Sequence, residues 1–256
     1  MMLAFVGMGL CGQEGISLRG LRIARGSDWI YAEHYTSLLP ELDLRRLEEL
    51  VGKPVKLVDR KTLEEEPEEI LERAGRGKVT LLVPGDSMVA TTHVDLRLRA
   101  ERRGIPTLVV PSPSILSAAP GLTGLQSYKF GRSATIPFRD TPSRVPYETL
   151  EENAKRGLHT LLLLDLRAEE GRYMLAGEGM EIMLELEERM GRGVFTRDTL
   201  VVVLARAGCS DERVRAGRVR VLLGEDFGPP PHSLVVPGRL HFLEEEALRV
   251  IGGAEL

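Results

Sequence analysis

Two cysteines, five histidines, three side-chain amides and a few aromatics are all that this chain of 256 residues carries of those types. Cys11 and Cys209 lie far apart and form no CxxC pair, which argues against a zinc ribbon or a disulfide framework and for a reducing, cytoplasmic compartment. His34, His93, His159, His232 and His241 show no HExxH or closely spaced pair, so no metal site is expected. Aromatics make up 5% of the residues, too few to suggest a stacking platform for bases. With Lys and Arg totalling 34 against 38 Asp and Glu, the net charge of −4 gives no basic footprint for nucleic acid. No apolar run reaches the roughly 20 residues of a membrane span. Met1 to Leu10 is apolar but lacks a basic leader and a small-residue cleavage site, and reads as a buried strand. Asn153, Gln13 and Gln126 are the only amides, and Lys is scarce beside Arg. That balance fits a protein from a hot environment, although an Arg-rich bias also follows from genome base composition.

What is present is an alternation of short β-rich runs with longer charged amphipathic runs, the pattern of an α/β protein. Strands are expected at Leu3–Gly7, Trp29–Ala32, Val55–Val58, Val79–Val83 and Thr107–Val110, apolar enough for a parallel sheet covered on both faces. Helices are expected from a Ser17 cap to Arg25, around Leu42–Leu50, from a Thr62/Glu65 capping box over Leu63–Ala74, and over Val89–Arg103. Pro111 to Pro120 reads as a connection, after which the pattern restarts. Strands follow at Ala134–Pro137, His159–Leu164, Leu200–Ala205, Val214–Leu222 and His232–Val236, with helices at Tyr147–Arg156, Ala176–Met190 and Leu243–Ile251. The polar–apolar alternation of Arg213 to Val221 marks an antiparallel strand with one exposed face. The reading is two α/β domains, residues 1–112 and 113–256, with a ligand cleft at their junction.

Two loops invite a ligand. Gly7-Met8-Gly9-Leu10-Cys11-Gly12 matches GxGxxG after a strand, with Glu33 about twenty residues on, as in a dinucleotide fold. Against that stand a helix that starts only at Ser17 and the negative Glu14 where phosphates would lie. Pro84-Gly85-Asp86-Ser87 turns at the C-terminal end of an apolar strand and exposes backbone there. Asp86 suits a ribose or amine ligand; its blander reading is a cap for a helix beginning near Val89.

Together these loops resemble the tetrapyrrole-methylase type of S-adenosylmethionine-dependent methyltransferase, and within it the diphthine synthase branch. The resemblance is carried by Ala32-Glu33-His34-Tyr35-Thr36-Ser37, by Pro84-Gly85-Asp86 through Ala90-Thr91-Thr92-His93, and by Pro113-Ser114-Ile115. It continues through Tyr128-Lys129-Phe130-Gly131, Ser133-Ala134-Thr135, Gly157-Leu158-His159-Thr160-Leu161, Leu204-Ala205-Arg206-Ala207-Gly208, Pro231-His232 and Pro237-Gly238, spanning essentially the whole chain. It implies two α/β domains with the cofactor in the interdomain cleft, held by Leu10, Asp86, Val89, Ser114, Ile115, Leu166, Ala207 and His232. It further implies methylation, to a trimethylammonium, of the amino group on the 3-amino-3-carboxypropyl arm of a modified histidine in translation elongation factor 2. S-adenosylhomocysteine would be the by-product and a homodimer the working form. Ser87 stands where related methylases usually carry proline, and Cys11 and Gly12 follow Leu10 where relatives vary.

The reaction needs a neutral amine held in line with a methyl carbon, so positioning and desolvation matter more than a nucleophile. Glu33, Tyr35 and Asp165 are conceivable bases, but anchoring of loops is the simpler role for each. Lys129, Arg132 and Arg206 suit an acceptor carboxylate or a protein surface, or else plain surface pairing. His93 and His159 read as packed residues, and Met174, Met180 and Met183 as core. Rival readings are a corrinoid or ribosomal-RNA methyltransferase of the same fold, an NAD-dependent oxidoreductase, and a non-catalytic nucleoside-binding module.

Overall fold

Five apolar runs in the first half of the chain build one parallel sheet. β1 (Met2–Gly7), β2 (Trp29–Glu33), β3 (Val55–Val58), β4 (Lys78–Val83) and β5 (Thr107–Val110) lie in the order β3-β2-β4-β1-β5. Alternate residues of the same strands feed two cores. Leu3 and Phe5 of β1 and Val79, Leu81 and Val83 of β4 pack with one set of helices, α3 (Arg60–Glu64), α4 (Glu68–Arg76) and α5 (His93–Arg102). Ala4, Val6 and Leu82 face the other set, α1 (Leu18–Arg25) and α2 (Leu44–Val51). Both faces being covered, β1 reads as a continuous apolar run, and β4 interrupts its own only with Thr80, fully buried and hydrogen-bonded to the Ser27 hydroxyl at 2.8 Å.

The computed structural model describes residues 1–255 and divides into two compact units: Met1–Ile115 with Ala168–Glu170, and Leu116–Arg167 with Gly171–Leu256. The first division falls after Ile115, where the sequence placed it after 112.

The second unit carries a mixed sheet in the order β11-β10-β12-β7-β6. α6 (Ile115–Thr123) leads to β6 (Ala134–Ile136), and α7 (Val145–Lys155) joins it to the parallel β7 (Thr160–Leu164). A short hairpin, β8 (Leu166–Arg167) and β9 (Arg172–Tyr173), precedes α8 (Ala176–Met190). β10 (Leu200–Ala205) pairs antiparallel with both β11 (Arg213–Arg218) and β12 (His232–Val236). α9 (Val219–Leu222) follows β11, and α10 (Phe242–Val250) follows β12. The core holds Phe138, Tyr147, Leu162, Val201, Val203 and Leu234, with Met174, Met180 and Met183 buried among them as their spacing predicts.

Four local expectations are corrected. The helix expected over Leu63–Ala74 is two helices, α3 capped by Asp59, whose side chain accepts from Thr62 N at 2.8 Å, and α4 opening after Pro67. Pro67 lacks an amide proton and breaks the run. The helix expected from Val89 begins only at His93, after a loop in which Ala90 adopts φ 54°. The expected connection Pro111–Pro120 contains most of α6, with Pro120 inside the helix. The run Val214–Leu222 is strand only to Arg218 and then turns helical.

Candidate functional site

In the first unit the chemistry-bearing loops leave the C-terminal ends of β1, β4 and β5. The turns after β1 and β4 are tied by a backbone bridge, with Gly85 N donating to Gly9 O at 2.7 Å and Gly9 N to Gly85 O at 3.2 Å. Both glycines are left-handed, φ 77° and 67°, a conformation that costs glycine nothing. Gly7 is required by close approach: a Cβ there would stand 2.5 Å from both the Gly85 carbonyl oxygen and the Ser112 Cβ. Asp86 fastens this junction, its carboxylate accepting from Met88 N at 2.9 Å and from Ser112 N at 3.1 Å. It does not cap α5, which starts seven residues later at His93. The sequence from Pro111 to Ile115 crosses the same edge; Ser114 is buried, and its Cβ lies 3.8 Å from where a Gly85 Cβ would be.

Beside this edge, Glu33 ends β2 fully buried. Its Oε2 accepts from Tyr35 N at 2.8 Å and Thr36 N at 3.1 Å, while Oε1 takes the Thr36 hydroxyl. Burial pushes its pKa up, and the hydrogen bonds from Thr36 and Tyr35 only partly offset it. Glu33 therefore anchors its own turn. The glycine loop is likewise no dinucleotide fingerprint in space, because a 3-10 turn at Gln13–Gly15 separates it from α1.

In the second unit, three elements end at one edge of the sheet. Ala205 of β10 pairs with His232 of β12, and Ser233 with Leu163 of β7, so the residues following β7 and β10 and the start of β12 gather there. Arg206 follows β10 with φ 51°, strained for a side chain of this size. Four hydrogen bonds hold it: Nε to Asp211 Oδ2 at 2.6 Å, Nη1 to the carbonyls of Phe227 and Pro229 at 2.8 and 2.6 Å, and Nη2 to Asp211 O at 3.2 Å. Ala207 follows directly. His232 is in one tautomer, Nδ1 accepting from Ala176 N at 3.2 Å and Nε2 donating to Pro229 O at 3.0 Å. Burial, foremost, lowers its pKa to about 4.

Against known proteins, the family model of Tetrapyrrole (Corrin/Porphyrin) Methylases matches residues 2–222. A diphthine synthase of Methanocella arvoryzae is 50% identical over 258 residues, covering 100% of both chains. Another, from Methanocaldococcus jannaschii, is 42% identical and covers 98% of each. A crystal structure of diphthine synthase superposes with a TM-score of 0.91 at 40% identity, covering 100% of this chain and 97% of that one. The chain belongs to the diphthine synthases. It is therefore a methyltransferase of the tetrapyrrole methylase fold, and the oxidoreductase reading of the glycine loop is set aside.

For a diphthine synthase the residues expected around the cofactor fall into two groups. Leu10, Asp86, Val89, Ser114 and Ile115 follow β1, β4 and β5 of the first unit; Leu166, Ala207 and His232 follow β7 and β10 or open β12 in the second. Several other expected roles are structural. Arg206 spends its guanidinium inside its own unit. Lys129, His159 and Glu244 form a buried knot: Glu244 accepts from Lys129 Nζ, from His159 Nε2 at 2.9 Å and from Gln126 N at 2.9 Å. Asp165 accepts from Leu166 N and Phe138 N at 2.9 and 3.2 Å, an anchor for the turn before β8. Neither cysteine is a free thiol, so the inference of a reducing compartment from their spacing falls away. No local signal marks Glu244, Asn153 or Glu187, polar residues that take partners from segments 21 to 118 residues away: Gln126 N, the Arg132 carbonyl and the Tyr147 hydroxyl.

Proposed function

We propose that this chain binds S-adenosylmethionine through Leu10, Asp86, Val89, Ser114, Ile115, Leu166, Ala207 and His232. Its acceptor is the amino group on the 3-amino-3-carboxypropyl arm of a modified histidine in translation elongation factor 2, methylated three times. The observation that carries the reading is the Gly9–Gly85 junction fastened by Asp86, where the turns after β1 and β4 meet at the C-terminal edge of the parallel sheet, the edge at which open α/β sheets bind ligands. When bound, the cofactor supplies a methyl carbon on a sulfonium, which a neutral amine nitrogen takes while the electron pair of the broken C–S bond stays on sulfur. The chain's own part is to hold loops rigid and dry. Asp86 fixes the turn after β4 to the segment after β5, and Arg206 fixes the turn carrying Ala207. No residue of this edge needs to act as nucleophile, since acceleration by positioning is enough.

A cytoplasmic, homodimeric enzyme from a hot environment completes the reading. It is supported by the acceptor's place in translation, the frequency of closed dimers and the scarcity of amides. Among the described residues no helix is long and apolar enough to cross a membrane.

The test is calorimetric titration with S-adenosylhomocysteine, with NAD as a parallel control. Micromolar binding of the former, lost in Asp86→Ala and weakened in Asp86→Asn, is expected. Elongation factor 2 bearing the unmethylated arm should then gain three methyl groups by mass spectrometry. Binding of NAD without S-adenosylhomocysteine would overturn the reading.

A further inference from the structure

Gly228-Pro229-Pro230-Pro231 leads directly into β12, and its three successive prolines carry no amide proton. A segment of that kind cannot be held by a strand ladder, so its carbonyls must find donors elsewhere. The donors come from one residue. Arg206 Nη1 donates to the carbonyls of Phe227 and Pro229 at 2.8 and 2.6 Å, and the Arg206 backbone amide donates to that of Pro231 at 2.8 Å. Gly228 makes room for this reach, since a Cβ there would lie 3.1 Å from Nη1.

The guanidinium is itself aimed. Nε pairs with Asp211 Oδ2 at 2.6 Å and Nη2 donates to the Asp211 carbonyl at 3.2 Å, so the turn after β10 closes on its own first residue. Arg206 is 6% exposed, whereas the Asp211 side chain is 59% exposed. A planar fork of donors spans Asp211 on one side and the proline segment on the other, which the compact ammonium of a lysine cannot do. His232 is tied into the same arrangement. The Pro229 oxygen that accepts from Arg206 also accepts from His232 Nε2 at 3.0 Å, while His232 Nδ1 accepts from Ala176 N. Burial foremost, and the Arg206 charge with it, keeps the ring neutral, so Nδ1 retains the lone pair that Ala176 N requires. Arg206 thus borders two expected cofactor residues at once: Ala207 follows it in the chain and His232 shares its acceptor. Its φ of 51° is strained, and strain of this kind persists where the surroundings over-determine it.

We propose that Arg206, aimed by Asp211, is a positioning residue for S-adenosylmethionine, acting through Ala207 and His232 by locking the proline segment to the turn after β10. The assignment rests on the cofactor residues proposed above and adds to them a pair that works without touching the cofactor.

The variants are Arg206→Lys, which keeps the charge and loses the fork, and Asp211→Ala, at an exposed position that leaves the fold intact. Calorimetry gives the Kd and the stoichiometry for S-adenosylhomocysteine, and methylation of elongation factor 2 gives kcat and the KM of each substrate. Arg206→Lys should raise the Kd and the cofactor KM about tenfold, the scale of one charge-assisted hydrogen bond. Asp211→Ala should raise both about threefold, because the guanidinium keeps its carbonyl partners but loses its aim. The KM for the factor and kcat at saturating cofactor should stay within about twofold. An arginine that only stabilised the fold would lower Tm and the bound stoichiometry while the folded molecules kept the wild-type Kd, and that result overturns the assignment. A factor KM that rises as much as the cofactor KM overturns it too. If Arg206→Lys does not fold, Asp211→Ala decides by the same measure: a raised Kd supports the assignment and an unchanged one overturns it. Wild type that binds no S-adenosylhomocysteine sinks the proposed function itself, a result distinct from wild type that binds it no better than the variants.

Discussion

His232 shows how a single buried side chain sets a pH limit. Burial holds its imidazole neutral, outweighing the hydrogen bond that Nε2 donates to the Pro229 carbonyl, with a pKa near 4 against 6.5 in the unfolded chain. The depressed value means that its contribution is fully present above pH 6.5. As pH falls the unfolded chain takes the proton first, and the contribution is gone by about pH 4. The difference is worth roughly 3 kcal/mol at most. Thermal melts of the wild type should therefore fall between pH 6.5 and 4, and His232→Asn should flatten part of that slope while starting from a lower Tm. An equal slope in the variant would assign the pH dependence elsewhere. Gly7 acts at the same scale through space alone. Gly7→Ala should weaken S-adenosylhomocysteine binding by an order of magnitude or so, because a methyl group 2.5 Å from the Gly85 carbonyl pries the two loops apart. Retained affinity by calorimetry would show that the loops yield.

Among the elements, α10 is the clearest case of a helix fixed by charge. His241 and Glu244 form a capping box, and the Glu244 carboxylate also collects Lys129, Gln126 N and His159. Burial pushes its pKa up, but these hydrogen bonds outweigh that and hold it at about 2. The depressed value means the contribution is present above the ordinary carboxylate range and fades as pH falls toward 2. Glu244→Ala leaves the buried His159 Nε2 and the Gln126 amide without their acceptor, and the half-buried Lys129 with only the Arg239 carbonyl, and should cost on the order of 3 kcal/mol by denaturant unfolding. A loss below about 1 kcal/mol would mean the knot relaxes into water. By contrast Ser17, which caps α1 through Gly20 N at 3.1 Å, should cost only about 1 kcal/mol when changed to alanine.

For the molecule as a whole, the proposed homodimer predicts a solution mass about twice 28.3 kDa by light scattering. A monomeric mass with full methyltransferase activity would remove the dimer from the mechanism.

Much of the fold was legible because its strands are short, apolar and punctuated. Val55–Val58, Thr107–Val110, Leu200–Ala205 and His232–Val236 fall where the residues put them, and Ala176–Met190 is a helix over the whole span its periodicity marks. Local rules failed where a competing signal was stronger: Pro67 splits a helix, and Pro120 sits inside one. The glycines and Asp86 announced the junction of the β1 and β4 turns, the proposed cofactor edge, because left-handed turns and close approach demand those residue types wherever the chain lies. The roles of Arg206 and Lys129 were illegible for the opposite reason. Whether a charged side chain is spent inside its own unit or left to solvent depends on neighbours 21 to 115 residues away, as Arg206 with Phe227 and Lys129 with Glu244 show. The sequence alone thus determined the element pattern and the loops that bare their backbone, since both are set by local sterics and periodicity. Only the tertiary structure decided which polar groups are satisfied and which are left open, because a hydrogen bond is a statement about distance in space.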